Sequence, residues 1–129
     1  MVNVLLVDDA KFIRARMTDM IQKLNHVVSS EAENGKLAIQ EYFRTKPDVV
    51  FMDITMPELN GKDALKQILN IDPEAKVIMC SALDSTQLVE ECMKIGAKGY
   101  IVKPFKIEDV EEVINQALGL EVESTAENP

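Results

Sequence analysis

The sequence predicts an α/β fold: a (βα)5 doubly wound sandwich built on a five-stranded parallel sheet. Three observations carry that expectation. Short, continuous runs of β-branched and other apolar residues recur along the chain, as in strands buried on both faces. Stretches with helical apolar periodicity separate them. The strand–helix alternation repeats five times, and parallel strands joined by right-handed helical crossovers give a doubly wound sandwich. The 129 residues suffice for one domain with one core.

Val4-Leu5-Leu6-Val7 reads as the first strand. Phe12, Ile13, Met17, Met20, Ile21 and Leu24 then share one helical face. The run Val27 to Ala32 is more polar and fits an edge strand. Asn34 is a candidate N-cap for a second helix with Leu37, Ala38, Ile39, Tyr42 and Phe43 as its apolar stripe. Val49-Val50-Phe51-Met52 is the third strand. Leu65, Ile68 and Leu69 form the next stripe, after Asn60-Gly61 and before Asp72-Pro73, where the proline disfavours continued helix. Val77-Ile78-Met79-Cys80 is the fourth strand. A helix begun near Asp84 carries Leu88, Val89, Cys92 and Met93 and stops at Gly96. Tyr100-Ile101-Val102 is the fifth strand, and Val110, Val113, Ile114 and Ala117 mark the last helix. We expect the domain to span 1–119. From about Leu120 the chain turns polar, acidic and aperiodic, and a flexible acidic tail over 120–129 is expected.

Apolar residues make up 47% of the chain and charged residues 28%, the balance of a globular domain. Fourteen basic against 22 acidic residues give a net charge of −8, which disfavours nucleic acid and anionic lipid. The apolar runs are about five residues at most, too short to span a bilayer, and the N-terminus runs straight into a strand with no signal-peptide pattern. Cys80 and Cys92 have no metal-ligand spacing and read as reduced core residues. His26 is alone in a connection and is assigned no role. A cytoplasmic protein is expected.

In an open α/β sheet, ligands bind at the carboxyl ends of the strands. The first strand ends in Asp8-Asp9, the third in Asp53, the fourth in Ser81 and the fifth in Lys103-Pro104. Singly, each has a plainer reading: Asp9 a helix cap, Asp53 a turn residue, Ser81 a loop hydroxyl, Lys103 a solvated cation. Their coincidence on one rim carries the argument. Three gathered carboxylates repel one another unless a cation neutralises them. An all-oxygen set without His or Cys selects a hard ion, Mg2+ in a cell. Neighbouring strands lie about 4.8 Å apart, so a group on the fifth strand needs a long side chain to approach the third, and Lys103 has one. A carboxylate flanked by Mg2+, an ammonium and a hydroxyl suits a phosphoryl group. No Gly-rich nucleotide-binding loop is present, so the donor must come from outside.

In order and spacing, Asp8-Asp9, Met52-Asp53-Ile54-Thr55-Met56-Pro57-Glu58-Leu59-Asn60-Gly61, Ser81-Ala82, Gly96-Ala97 and Val102-Lys103-Pro104-Phe105 resemble response-regulator receiver domains, in particular chemotaxis regulators of the CheY type. The likeness covers roughly residues 1–118. It implies the strand order 2-1-3-4-5 of the flavodoxin-like sheet, which the hydropathy pattern by itself only allows. It implies that Asp53 accepts a phosphoryl group from a CheA-like histidine kinase. Asp8, Asp9, Asp53 and the Thr55 carbonyl would hold Mg2+. Lys103 would pair with the phosphoryl oxygens, Ser81 would move to donate to them, and Tyr100 would swing inward after it. The Lys103-Pro104 bond is expected to be cis. Helix 4, strand 5 and helix 5 would present the altered surface to a flagellar switch protein. A phosphatase is a further expected partner, and the protein is expected to act as a monomer.

On this reading the chain is a phosphoacceptor that catalyses its own phosphorylation and dephosphorylation rather than an enzyme acting on others. A phosphorelay intermediate, or the receiver of another regulator, is the alternative. Two other classes fit poorly. A haloacid-dehalogenase-type phosphatase needs a second Asp where Thr55 stands, and a flavodoxin-type carrier needs a hydroxyl- and glycine-rich loop where Asp8-Asp9 would repel a phosphate.

Overall fold

The computed structural model describes residues 1–83 and 85–120. Five strands and five helices alternate: β1 (Asn3–Val7), α1 (Lys11–Lys23), β2 (Val27–Ala32), α2 (Gly35–Thr45), β3 (Val49–Asp53), α3 (Gly61–Ile71), β4 (Val77–Ser81), α4 (Thr86–Ile95), β5 (Gly99–Val102) and α5 (Ile107–Leu118). The strands form one sheet in the order β2-β1-β3-β4-β5, and every neighbouring pair is parallel.

Side-chain alternation explains the continuous apolar runs. Leu5, Val7, Val50, Met52, Val77 and Met79 point to one face, where α2, α3 and α4 contribute Ala38, Tyr42, Leu65, Ile68 and Cys92. Val4, Leu6, Val49, Phe51, Ile78 and Cys80 point to the other, against Met17 and Ile21 of α1 and Val110, Val113 and Ile114 of α5. A strand covered on both faces must be apolar at every position. Cys80 and Cys92 are buried free thiols, as expected. His26 ties the N-terminus down, its Nδ1 accepting the Val2 N–H at 3.1 Å.

The helix starts follow their caps. Asn34 accepts the Leu37 N–H at 2.8 Å and Asn60 the Asp63 N–H at 2.9 Å. Ser85 caps α4; the expected start near Asp84 falls outside the described residues. Gly96 ends α4 with φ of 129°, a conformation that glycine adopts without a Cβ penalty.

Three expectations are corrected. Phe12 does not join the packed face of α1 and is 67% exposed, because the inward stripe runs through Ile13, Met17 and Ile21, about 100° round the helix. In α4 only Cys92 is buried, and Met93 lies exposed on the outer side. β5 is not covered on both faces: it forms the second sheet edge, with Tyr100 half-buried and Val102 exposed. The tail expected over 120–129 lies, apart from exposed Leu120, outside the described residues.

Candidate functional site

The carboxyl ends of β1, β3, β4 and β5 meet at one rim. Asp53 and Ser81 are the last residues of their strands, Asp8 follows β1 directly, and Lys103 follows β5. Parallel register places Asp53 beside Cys80, and Ser81 beside Val102. Among the described residues, Asp8, Asp53 and Ser81 are the buried polar residues of an otherwise apolar interior; Asp9 is exposed.

Carboxylate oxygens of Asp8, Asp9 and Asp53 lie within 4.8 Å of one another. Lys103 spans two strands to reach them, donating from Nζ to Asp8 Oδ2 at 2.7 Å and to Asp53 Oδ1 at 3.3 Å. Asp8 Oδ1 also accepts the Ala10 N–H at 2.9 Å. Burial, and then the neighbouring Asp8 charge, push the Asp53 carboxyl up to about 6, while Lys103 opposes the rise. Burial works against the Lys103 ammonium, but the Asp8 and Asp53 carboxylates outweigh it and hold the group above its ordinary value.

The donor set fits a hard divalent cation. Three carboxylates against one ammonium leave two negative charges in a largely buried corner, and every available ligand atom is oxygen. Zinc- or copper-type chemistry would need nitrogen or sulfur donors. Cys80 borders Asp53, but burial pushes its thiol well up and leaves it protonated.

Ser81 and Tyr100 are joined through Leu83. The Ser81 hydroxyl oxygen accepts the Leu83 N–H at 3.0 Å, and the Tyr100 hydroxyl donates to the Leu83 carbonyl at 2.8 Å. Thr55 is exposed in the β3–α3 loop, two residues past Asp53. That loop closes on itself through the Gly61 N–H to the Ile54 carbonyl at 2.8 Å, and the Gly35 N–H ties it to α2 through the Leu59 carbonyl at 2.9 Å. The Lys103-Pro104 bond is cis, as expected.

All seven residues singled out from the sequence stand on this rim or in the loops and strand beside it. Sequence reading missed Arg14. Its guanidinium donates to the Asp8 carbonyl at 2.6 Å and to Glu31 Oε1 at 2.7 Å, tying α1 and β2 to the acidic loop. No spacing rule links positions 14 and 31; only the packing of α1 beside β2 brings them together.

Comparison with known proteins agrees with the geometry. The chain is 51% identical over 113 residues to the chemotaxis protein CheY of Thermotoga maritima, covering 88% of this chain and 94% of that one. The CheY structure in a CheX–CheY–BeF3–Mg2+ complex from Borrelia burgdorferi superposes with a TM-score of 0.87 at 36% identity, over 90% of this chain and 88% of that one. The response regulator domain of Thermotoga maritima CheB does so with a TM-score of 0.86 at 34% identity, over 94% and 98% of the two chains. Residues 4–115 match the response regulator receiver domain, and with the strand order and the acidic rim already described, the chain belongs to that family.

Proposed function

We propose that the chain is a single-domain chemotaxis response regulator that takes a phosphoryl group on Asp53 from a histidine kinase and signals through its α4–β5–α5 face. The observation that carries this reading is the gathering of Asp8, Asp9 and Asp53 within 4.8 Å, with the Lys103 ammonium on the phosphoacceptor itself. The domain spans residues 1–119, with residues 120–129 as an acidic tail. The CheY proteins it resembles along nearly their whole length support the chemotaxis role.

Asp8, Asp9, Asp53 and the Thr55 carbonyl would hold Mg2+. When bound, the ion supplies positive charge against the anionic oxygens of the incoming group. The Asp53 carboxylate oxygen forms the new bond to phosphorus. The bond from phosphorus to the donor's imidazole nitrogen breaks, and that nitrogen keeps the electron pair. Lys103 already lies on Asp53 and needs only a small shift to meet the oxygens of the acyl phosphate. An apolar groove of about 280 Å³ beside Lys103, lined by Ile13, Met17, Met20, Ala82, Pro104 and Phe105, supports an approach by a kinase surface from the α1 side.

The switch follows from the Ser81–Leu83–Tyr100 chain. A phosphoryl group on Asp53 adds acceptor oxygens that the Ser81 hydroxyl can donate to. Drawing Ser81 toward them displaces Leu83, whose carbonyl holds the Tyr100 hydroxyl. A gain in contact made only in the displaced arrangement shifts the population toward it. The β5–α5 surface flanking Tyr100, with Val102, Phe105 and Asp109, would then meet a flagellar switch protein. Hydrolysis of the acyl phosphate, by the chain itself or with a phosphatase, would reset it; a CheX–CheY complex among its structural relatives supports engagement of a dedicated protein partner. Among the described residues no helix is long and apolar enough to cross a membrane. We place the chemistry in the cytoplasm, in a monomer, with no nucleic-acid contact.

Intact mass after incubation with acetyl phosphate tests the reading. A gain of one phosphoryl group that requires Mg2+, is lost with EDTA and is absent in Asp53→Asn is the expected result. No gain in a folded protein under any condition would remove Asp53 as the acceptor.

A further inference from the structure

We propose that Arg14 is a positioning residue for the metal site: paired with Glu31, its guanidinium holds the peptide between Asp8 and Asp9 and thereby aims the Asp9 carboxylate. This rests on the reading that the three carboxylates hold Mg2+. Asp8 is fixed from several sides. Its N–H donates to the Ala32 carbonyl at 3.1 Å, and its carboxylate accepts from Ala10 and Lys103. Asp9 differs: among the described residues its exposed side chain makes no hydrogen bond or ion pair. Its direction is therefore set by the backbone that precedes it. The plane of the Asp8–Asp9 peptide is fixed where the Asp8 carbonyl accepts from Arg14 at 2.6 Å.

The fold supplies this clamp from two elements. Side chains on a helix lean toward its N-terminus, so an Arg one turn into α1 overhangs the β1–α1 loop. The Arg14 side chain is 14% exposed, well covered for a guanidinium. Its second donor, Nε, is held by Glu31 Oε1 at 2.7 Å, on the strand next to β1. A planar guanidinium serves both acceptors in fixed directions, which a lysine ammonium does not. Glu31 also neutralises a cation that would otherwise stand unpaired near the metal site. An ion pair on an open surface contributes little; this one directs a donor onto a backbone carbonyl between two metal-site carboxylates.

Calorimetric titration of Mg2+ into the full chain tests the assignment, alongside Mg2+-dependent phosphorylation by acetyl phosphate. Arg14→Ala is expected to raise the Mg2+ Kd roughly three- to tenfold, up to the low edge of what outer-shell partners contribute. Glu31→Gln should raise it less, and Arg14→Lys should recover part of the loss. The phosphorylation rate at saturating Mg2+ should stay near wild type in all three, because the clamp acts on metal binding and not on Asp53. A wild-type Kd in both Arg14→Ala and Glu31→Gln overturns the clamp, as does a collapsed limiting rate with unchanged Kd. If Arg14→Ala does not fold, Glu31→Gln, at an exposed position, decides alone. A wild-type chain that binds no Mg2+ overturns the metal reading and the clamp with it. A wild type that binds, with unaltered variants, overturns the clamp only.

Discussion

Asp53 combines burial with charge. A carboxyl raised from 3.8 to about 6 binds its proton more tightly in the folded chain than in the unfolded one. Its ionisation therefore costs the metal-free fold stability as pH rises through about 6, and the cost vanishes below about 4. Asp53→Asn removes that charge while Lys103 keeps Asp8 at 2.7 Å. In EDTA at pH 7.5 the variant should be more stable than wild type by about 1–2 kcal/mol, after discounting for the solvent side of the rim. The gain should fade by pH 4.5. Urea melts of both proteins at the two pH values check this, and a gain independent of pH would mean that Asp53 is not destabilised by ionisation. Protons and Mg2+ compete for the same oxygens, so Mg2+ affinity should fall over the same range. At this scale the sequence was informative where a residue's role depends on its place along a strand. Asp8, Asp53, Ser81 and Lys103 each sit where an apolar run stops, and the pattern shows such stops. Arg14 was not legible, because its role depends on a rotamer and on β2 lying beside β1.

Elements meet at the rim through their backbones as much as through side chains. Gly61 opens α3 against the end of β3: a Cβ there would stand 2.0 Å from the Asp53 carbonyl oxygen and 2.8 Å from its carbon. Backbone cannot rotate away as a side-chain tip can, so Gly61→Ala must push α3 or Asp53 out of place. We expect a loss of about 1–3 kcal/mol, as for overpacked interiors, and slower phosphorylation by acetyl phosphate at saturating Mg2+. Thermal melts and the rate are both needed. A folded Gly61→Ala with wild-type rate would show that the loop can move without moving Asp53. Asn60-Gly61 was legible as the boundary just before a helical stripe. That the glycine also serves close approach was not, since the neighbour it meets lies eight residues back across a folded loop. The exposure of Phe12 and Met93 was missed for a related reason. Apolar periodicity marks a stripe about 100° wide, and residues at its margin face the core only if a neighbouring element reaches that far.

Over the whole molecule, sheet order decides which carboxylates become neighbours. β1 and β3 are separated by 41 residues between Val7 and Val49, yet they pair directly, and this adjacency brings Asp8 and Asp9 to Asp53. Alternation of strand and helix made the fold class legible, but hydropathy alone did not rank the possible strand orders; resemblance supplied that. The same adjacency gives a thermodynamic expectation. A divalent ion held by carboxylates from the ends of β1 and β3 would bind only the folded chain, because the unfolded chain does not gather those carboxylates. At a hundredfold excess over its Kd it should stabilise by about 2.7 kcal/mol, a rise in Tm of roughly 10 °C for a domain of this size. Net charge complicates the measurement, since any salt screens the self-repulsion of a chain carrying −8. Sodium chloride at matched ionic strength is therefore the control. Site binding predicts a Tm that keeps rising with the logarithm of Mg2+ above Kd, far beyond the sodium curve, and a reduced response in Asp9→Asn. If the Mg2+ and sodium curves coincide, the acidic rim is only one part of a diffuse negative surface. The expected gain at the carboxylates would then be a screening effect spread over the whole chain.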